Sequence, residues 1–437
     1  MPVTGGAGIY HNYPFQIAIE TVAPNHHVER TVGDLERPEC QDQISDPRSP
    51  DRATRHRSRP WKNGRARTTR ACASQLSISL IRTLSSYLLS SRRYLNLLHH
   101  RLLQMFEFVK EADYAAKHGG SITVTNRSDR SQLMTIVQTL IRLFRTQINS
   151  GHPKHEDGSP VLHPPKAKLR KCSVVARTVC DIHVYDIVPP HKVSDGKKRI
   201  YYFAGGSWQL VPSEQHWSMC AKLAVDLSDT IVSVVSMPIA PNDPAASSFP
   251  QCLKLYRAVL ADAAAAGDSV ILAGDSSGAN VVLCLTLEAL REDAERGEKA
   301  PFPSALMVIS PSTDLTRGNP DIEKLRSCDP LLTPEVIKQT AKAWTGDWDS
   351  ADSKVSPINA NISLLAENGI KVHGVTSGND VLAPDGVLFR NRLSELSVQG
   401  EWLHWEKQMH CFLLTLPYGL REAEEGVDWV IGVLKKA

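Results

Sequence analysis

Beyond residue 174 the chain repeats one rhythm: a short apolar, β-branched run, a turn, then a longer stretch whose apolar positions recur every three or four residues. The short runs fall at 182–188, 199–203, 230–236, 269–273, 305–309, 369–376 and 401–407. Helical patterns lie between most of them, as at 251–265, 279–296 and 333–344. This alternation predicts an α/β fold, a mostly parallel sheet with helices on both faces. Ligands on such sheets bind beyond the carboxyl ends of the strands, so residues just after each run are the candidates for chemistry.

Upstream the period is purely helical. From 76 to 117, Leu80, Leu84, Tyr87, Leu88, Leu95, Leu98, Leu102, Met105, Phe106 and Val109 recur at helical spacing between Arg82, Arg92, Arg93 and Arg101. One long amphipathic helix or two is expected there. Leu133, Ile136, Val137, Leu140, Ile141 and Phe144 repeat the pattern until Ser150-Gly151-His152-Pro153 ends it. Helices of this kind suit a membrane surface or a cover packed on the protein, and packing is the simpler reading. Residues 158–171, rich in Pro and Lys, read as a connector. The chain divides accordingly into an extension at 1–72, a helical region at 73–157 and an α/β domain at 158–437.

Composition adds mainly exclusions. Residues 1–72 lack periodicity and carry nine Lys or Arg between Arg48 and Arg70, so they are expected to be a disordered basic extension. A nucleic-acid or targeting arm has the same look, but a net charge of +3 gives the whole chain no reason to seek nucleic acid or an anionic membrane. Nine scattered cysteines, odd in number and without a CxxC pair, argue against a disulfide framework or a zinc site. The first twenty residues do not read as a secretory signal, and no apolar run reaches the ~18 residues of a membrane span. Leu434-Lys435-Lys436-Ala437 is not a peroxisomal address. The expectation left is a cytoplasmic protein that needs no cofactor or metal and takes a small molecule as partner.

One turn carries chemistry. Ser269-Val270-Ile271-Leu272-Ala273 reads as a buried strand, Gly274-Asp275-Ser276-Ser277-Gly278 as a tight turn, and Ala279-Asn280-Val281-Val282-Leu283 as the start of a helix. A bare GxSxG arises by chance in about one chain in ten of this length. Between a strand and a helix it reads as a nucleophile elbow, with Ser276 lifted above the sheet at a helix N-terminus. A serine hydroxyl needs a histidine base and an acid to orient it, and in elbows of this kind the chain order is Ser, acid, His. Asp380 follows the run 369–376 and His410 follows the run 401–407. Asp385 competes with Asp380 but lies further from the strand end. His373 and His404 compete with His410 but fall inside predicted strands. Acyl transfer also needs donors for an oxyanion. The small-residue turn Ala204-Gly205-Gly206-Ser207 after the run 199–203 offers backbone N–H groups at Gly205, Gly206 and Ser207, with Ser277 supplying another from the elbow.

With these residues in view, 160–437 resembles the hormone-sensitive-lipase-like branch of the α/β-hydrolases. Its HGGG loop corresponds to Ala204-Gly205-Gly206-Ser207, its GDSAG elbow to Gly274–Gly278, its D-P-L motif to Asp380-Val381-Leu382 and its H-G-F motif to His410-Cys411-Phe412. Ala240-Pro241, Ser310-Pro311-Ser312-Thr313-Asp314-Leu315 and Ser356-Pro357 echo it further. Phe203 to Gln209, with Gln215-His216-Trp217 after it, is similar to fungal members, some of which serve secondary metabolism. The resemblance implies an α/β-hydrolase fold under an N-terminal helical cap, and a carboxylic ester as substrate. Ala204 replaces the histidine that usually braces the oxyanion loop, and Ser207 replaces its third glycine. A lyase or acyltransferase on the same scaffold, or a receptor without catalysis, are the alternative readings. An intact Ser, Asp and His argues against the receptor.

Overall fold

The computed structural model describes residues 121–149, 156–191, 193 and 197–437. The expected basic extension at 1–72 and the helical pattern at 76–117, one part of the expected cap at 73–157, lie outside the described residues.

Among the described residues nine strands form one sheet in the order β1-β9-β8-β7-β6-β4-β5-β3-β2. They are β1 (Ile122–Arg127), β2 (Ser173–Val179), β3 (Ile182–Val188), β4 (Lys198–Phe203), β5 (Thr230–Ser236), β6 (Ser269–Asp275), β7 (Ala305–Ile309), β8 (Lys371–Asn379) and β9 (Gly400–Met409). Strands β2, β3 and β5 pair antiparallel at one end, and every other neighbouring pair is parallel. All seven expected strands are present, and those at 182–188, 230–236 and 305–309 match to the residue. The two not anticipated, β1 and β2, are the edges. An edge strand is covered on fewer sides, so Ile122–Arg127 and Ser173–Val179 carry polar residues where a central strand is apolar.

Side-chain alternation divides the core into two layers. Tyr201, Phe203, Val270 and Leu272 face α4 (Ala245–Ala265) and one side of α5 (Ser276–Arg296). Ile200, Tyr202, Ile271 and Ala273 face α3 (Glu214–Asp226) and α10 (Arg421–Leu434). β6 is covered on both faces and is buried from Val270 through Asp275, which is why it reads as a continuous apolar run.

The domain boundary differs from expectation. β1 lies in the stretch read as part of a separate helical region, yet it pairs in parallel with β9 from Ile122 opposite Gly400 to Arg127 opposite Trp405. Helix α1 (Gln132–Leu143) follows, and Met134, Val137 and Ile141 pack beside Leu403 and Trp405. Glu422 on α10 accepts hydrogen bonds from the backbone N–H and hydroxyl of Ser131, the N-cap of α1. The sheet-bearing unit therefore begins before residue 122, not at 158. α1 docks through one apolar face, while Leu133, Ile136 and Phe144, which share its helical period, are exposed. No helix among the described residues is long and apolar enough to cross a membrane.

Candidate active site

The turn from β6 into α5 puts Ser276 at φ +52°, left-handed backbone that costs a non-glycine residue roughly 1–3 kcal/mol. Close packing enforces it. A methyl group on Gly278 would lie 2.0 Å from the Phe203 carbonyl oxygen, and one on Gly274 would lie 2.7 Å from the same atom. Both contacts are to backbone, which cannot swing aside. Gly278→Ala is therefore expected to destabilise the fold by about 3 kcal/mol or more, read as a lowered urea midpoint at unchanged m-value. A midpoint equal to wild type would contradict this packing.

Three side chains meet above the sheet. Ser276 Oγ lies 2.9 Å from His410 Nε2, and His410 Nδ1 lies 2.8 Å from Asp380 Oδ2. Ser276 follows β6, Asp380 follows β8 and His410 follows β9, so separate strand ends supply them. The carboxylate accepts a hydrogen bond from Nδ1–H of His410, which leaves the Nε2 lone pair for the serine hydroxyl. Asp380 is fixed in turn, since its Oδ1 accepts the Leu382 N–H at 2.8 Å. Burial alone would lower the His410 pKa, but the Asp380 carboxylate outweighs it and holds the imidazole well above the ordinary histidine value. Such a relay can move a proton from a hydroxyl to an imidazole and back.

The rivals are elsewhere. Asp385 is buried in the first turn of α9 (Ala383–Glu395), and burial raises its carboxyl to about 6. His404 Nδ1 is 3.0 Å from Thr376 Oγ1, and His373 Nδ1 accepts the Glu401 N–H. Burial lowers both histidines to about 4. They are packed neutral side chains of the sheet.

The oxyanion loop departs from expectation at one residue. The Gly205 N–H donates to Asp275 Oδ1 at 2.9 Å, so Gly205 is engaged in holding the loop and is not a donor for a substrate. A methyl on Gly205 would be 3.0 Å from Ser276 Cβ, which shows how closely the loop approaches the nucleophile. Gly206 (φ +135°) and Ser207 (φ +58°) follow, and no described residue accepts from their N–H groups. Ser207 thus adopts left-handed backbone without a glycine. The loop is closed by hydrogen bonds from the Gln209 and Leu210 N–H groups to the Gly206 carbonyl, at 2.9 and 3.0 Å. Ser277 lies in the first turn of α5, where leading N–H groups have no intrahelical acceptor.

Sequence reasoning passed over several supporting groups. Asp329 is fully buried, accepts the N–H groups of Leu331, Leu332 and Val381, and so holds the segment that carries Asp380. Burial and the neighbouring Asp380 charge push its carboxyl up to about 7. Asp329-Pro330-Leu331 is the one literal D-P-L in the sequence, since the segment at 380–382 reads Asp-Val-Leu. Cys411 stands where the resemblance has glycine, at φ +49°, with Sγ 3.4 Å from His410 Nε2. Burial raises its thiol to about 12, so it stays protonated. Asn280 donates to the carbonyls of Ser312 and Val355 at 2.8 and 2.7 Å, and Ser356 Oγ accepts the Leu315 N–H. The Ser310–Leu315 and Ser356-Pro357 echoes thus brace α5 from behind. Among the described residues, no group of three or more His, Cys, Asp or Glu side chains is arranged to hold a metal.

Known proteins are similar to this chain in sequence and in fold. A family described as alpha/beta hydrolase fold matches residues 200–414. An esterase of Acinetobacter venetianus is 27% identical over 201 residues, covering 46% of this chain and 62% of that protein. Human hormone-sensitive lipase is 28% identical over 172 residues, 38% of this chain and 15% of its own length. The matches thus span less than two thirds of these relatives. Among solved structures, a hormone-sensitive lipase from a metagenome library superposes with a TM-score of 0.54 at 19% identity, covering 70% of this chain and 98% of that one. An esterase/lipase from an uncultured bacterium gives 0.56 at 18% identity, covering 70% and 99%.

Proposed function

The chain belongs to the α/β-hydrolase fold family, on the branch that includes hormone-sensitive lipase, and from that premise we propose that it hydrolyses a carboxylic ester through an acyl-enzyme on Ser276. The observation that carries this reading is the unbroken relay from Asp380 through His410 to Ser276. Ser276 Oγ attacks the ester carbonyl while His410 Nε2 takes its proton, and Asp380 holds the imidazole and balances its charge. The N–H groups of Gly206, Ser207 and Ser277 stabilise the oxyanion, a contribution of about 10²–10³ in rate for a single donor in such sites. The leaving alcohol departs with the proton from His410. Water then donates a proton to His410, attacks the acyl carbonyl and releases the acid, which returns Ser276 to its starting state.

The substrate is a small or medium organic ester, and the likeness of Phe203–Gln209 to fungal sequences points to secondary metabolism. A silent receptor would have no use for a histidine base poised on a serine. Purified protein should turn over p-nitrophenyl acetate and butyrate with saturation kinetics. Release of p-nitrophenol no faster than in buffer would overturn the proposal.

A further inference from the structure

Asp275, the residue before Ser276, is 2% exposed and gathers donors from three parts of the chain. Tyr202 Oη donates to Oδ1 at 2.7 Å and the Gly205 N–H at 2.9 Å. His216 Nε2 lies 3.2 Å from Oδ1 and 3.3 Å from Oδ2. The Cys411 thiol points to Oδ2 at 3.6 Å. Hydrogen-bond donors aimed at a carboxylate favour its ionised form. Asp275 is an anion tied into the oxyanion loop.

The state of His216 follows from its other nitrogen. His216 is the third residue of α3, and its Nδ1 lies 3.0 Å from the backbone N of Ser213, the N-cap. A backbone N–H can only donate, so Nδ1 accepts, the ring proton is on Nε2, and that proton is directed at Asp275. One neutral imidazole therefore caps α3 and holds Asp275. The loop that leaves β4 at Phe203 and ends at Ser213 is tied to a single carboxylate at both ends, through Tyr202 and Gly205 on entry and through His216 on exit. Ala204 has no polar side chain with which to brace the loop from within.

We infer that His216 is a positioning residue of the oxyanion loop, taking over from α3 the bracing that a histidine at position 204 would give. It fixes Asp275, Asp275 fixes Gly205, and the backbone of Gly206 and Ser207 is thereby held against the nucleophile. This rests on the ester-hydrolysis reading. His216 does not touch the reacting atoms, so its effect is on the transition state through the loop and not on substrate capture.

The test compares His216→Leu, which removes the ring's hydrogen bonds to Ser213 and Asp275, with His216→Gln, whose amide offers an acceptor and a donor at similar reach. With p-nitrophenyl butyrate, His216→Leu should lose about 10- to 100-fold in kcat with KM within about threefold of wild type. Inhibition by an aryl trifluoromethyl ketone, which forms an oxyanion on the serine, should weaken by the same factor. His216→Gln should recover most of both. Unchanged kcat in folded His216→Leu would overturn the inference, as would a kcat loss with ketone affinity intact. Should His216→Leu not fold, the Gln variant and the wild-type ring decide. Nitrogen-15 NMR of wild type should show His216 protonated at Nε2 and bare at Nδ1, and the opposite tautomer would overturn the inference without any substrate. Wild type that cleaves no ester would overturn the hydrolase reading and this inference with it.

Discussion

Ser276→Ala should lose about 10⁴–10⁶ in kcat toward p-nitrophenyl butyrate, equivalent to ~5–8 kcal/mol of barrier at ~1.36 kcal/mol per decade, while the protein folds as wild type. The magnitude follows from what the side chain does. Without Oγ there is no acyl-enzyme, His410 has no hydroxyl to deprotonate, and only the oxyanion donors and substrate binding remain. Folding survives because alanine at φ +52° meets the same left-handed penalty as serine. Ser276→Gly should be more stable than either, by about 1 kcal/mol, because glycine relieves that strain. Activity in Ser276→Ala above about a tenth of wild type would mean that another group does the chemistry.

Asp380→Asn should cost about 10⁴ in kcat, ~5 kcal/mol, for a different reason. An amide can donate to His410 Nδ1, which drives the ring proton to Nε2 and turns the base away from Ser276. The pH profile separates this from misfolding. His410 must be neutral to act, and Asp380 raises its pKa well above 6.5, so wild-type kcat/KM should rise with pH along a limb centred above 6.5. Removing the carboxylate leaves burial, which lowers the pKa, so in Asp380→Asn the limb should move to lower pH. The stability term has the matching sign. A histidine raised in the folded state contributes stability that is full below about 6.5 and is lost as pH rises through the folded value. Asp380→Asn should flatten that loss. A limb unmoved by the substitution would contradict the pairing.

How much of this was legible in the sequence depended on whether neighbours in space were also neighbours in chain. The central strands were readable because burial on both faces forces a continuous apolar run, as in Val270–Ala273. The edge strands Ile122–Arg127 and Ser173–Val179 were not, because half-solvated strands need no such run. Ser276, Asp380 and His410 were legible because each follows a strand end and their order is fixed by topology. Gly205 was misjudged as a donor because its acceptor, Asp275, is seventy positions away and reaches it only through the pairing of β4 with β6. Asp329 and His216 were missed for the same reason. Asp329 stands in a D-P-L and His216 in Gln215-His216-Trp217, but neither run of letters names the partner in another element that the side chain holds.

The most direct test is to label wild-type protein with a fluorophosphonate and locate the adduct by mass spectrometry of its peptides. The account predicts about one label per chain, carried on Ser276, with none in Ser276→Ala. No label at an excess that saturates related esterases, or a label on another serine that persists in Ser276→Ala, would contradict it.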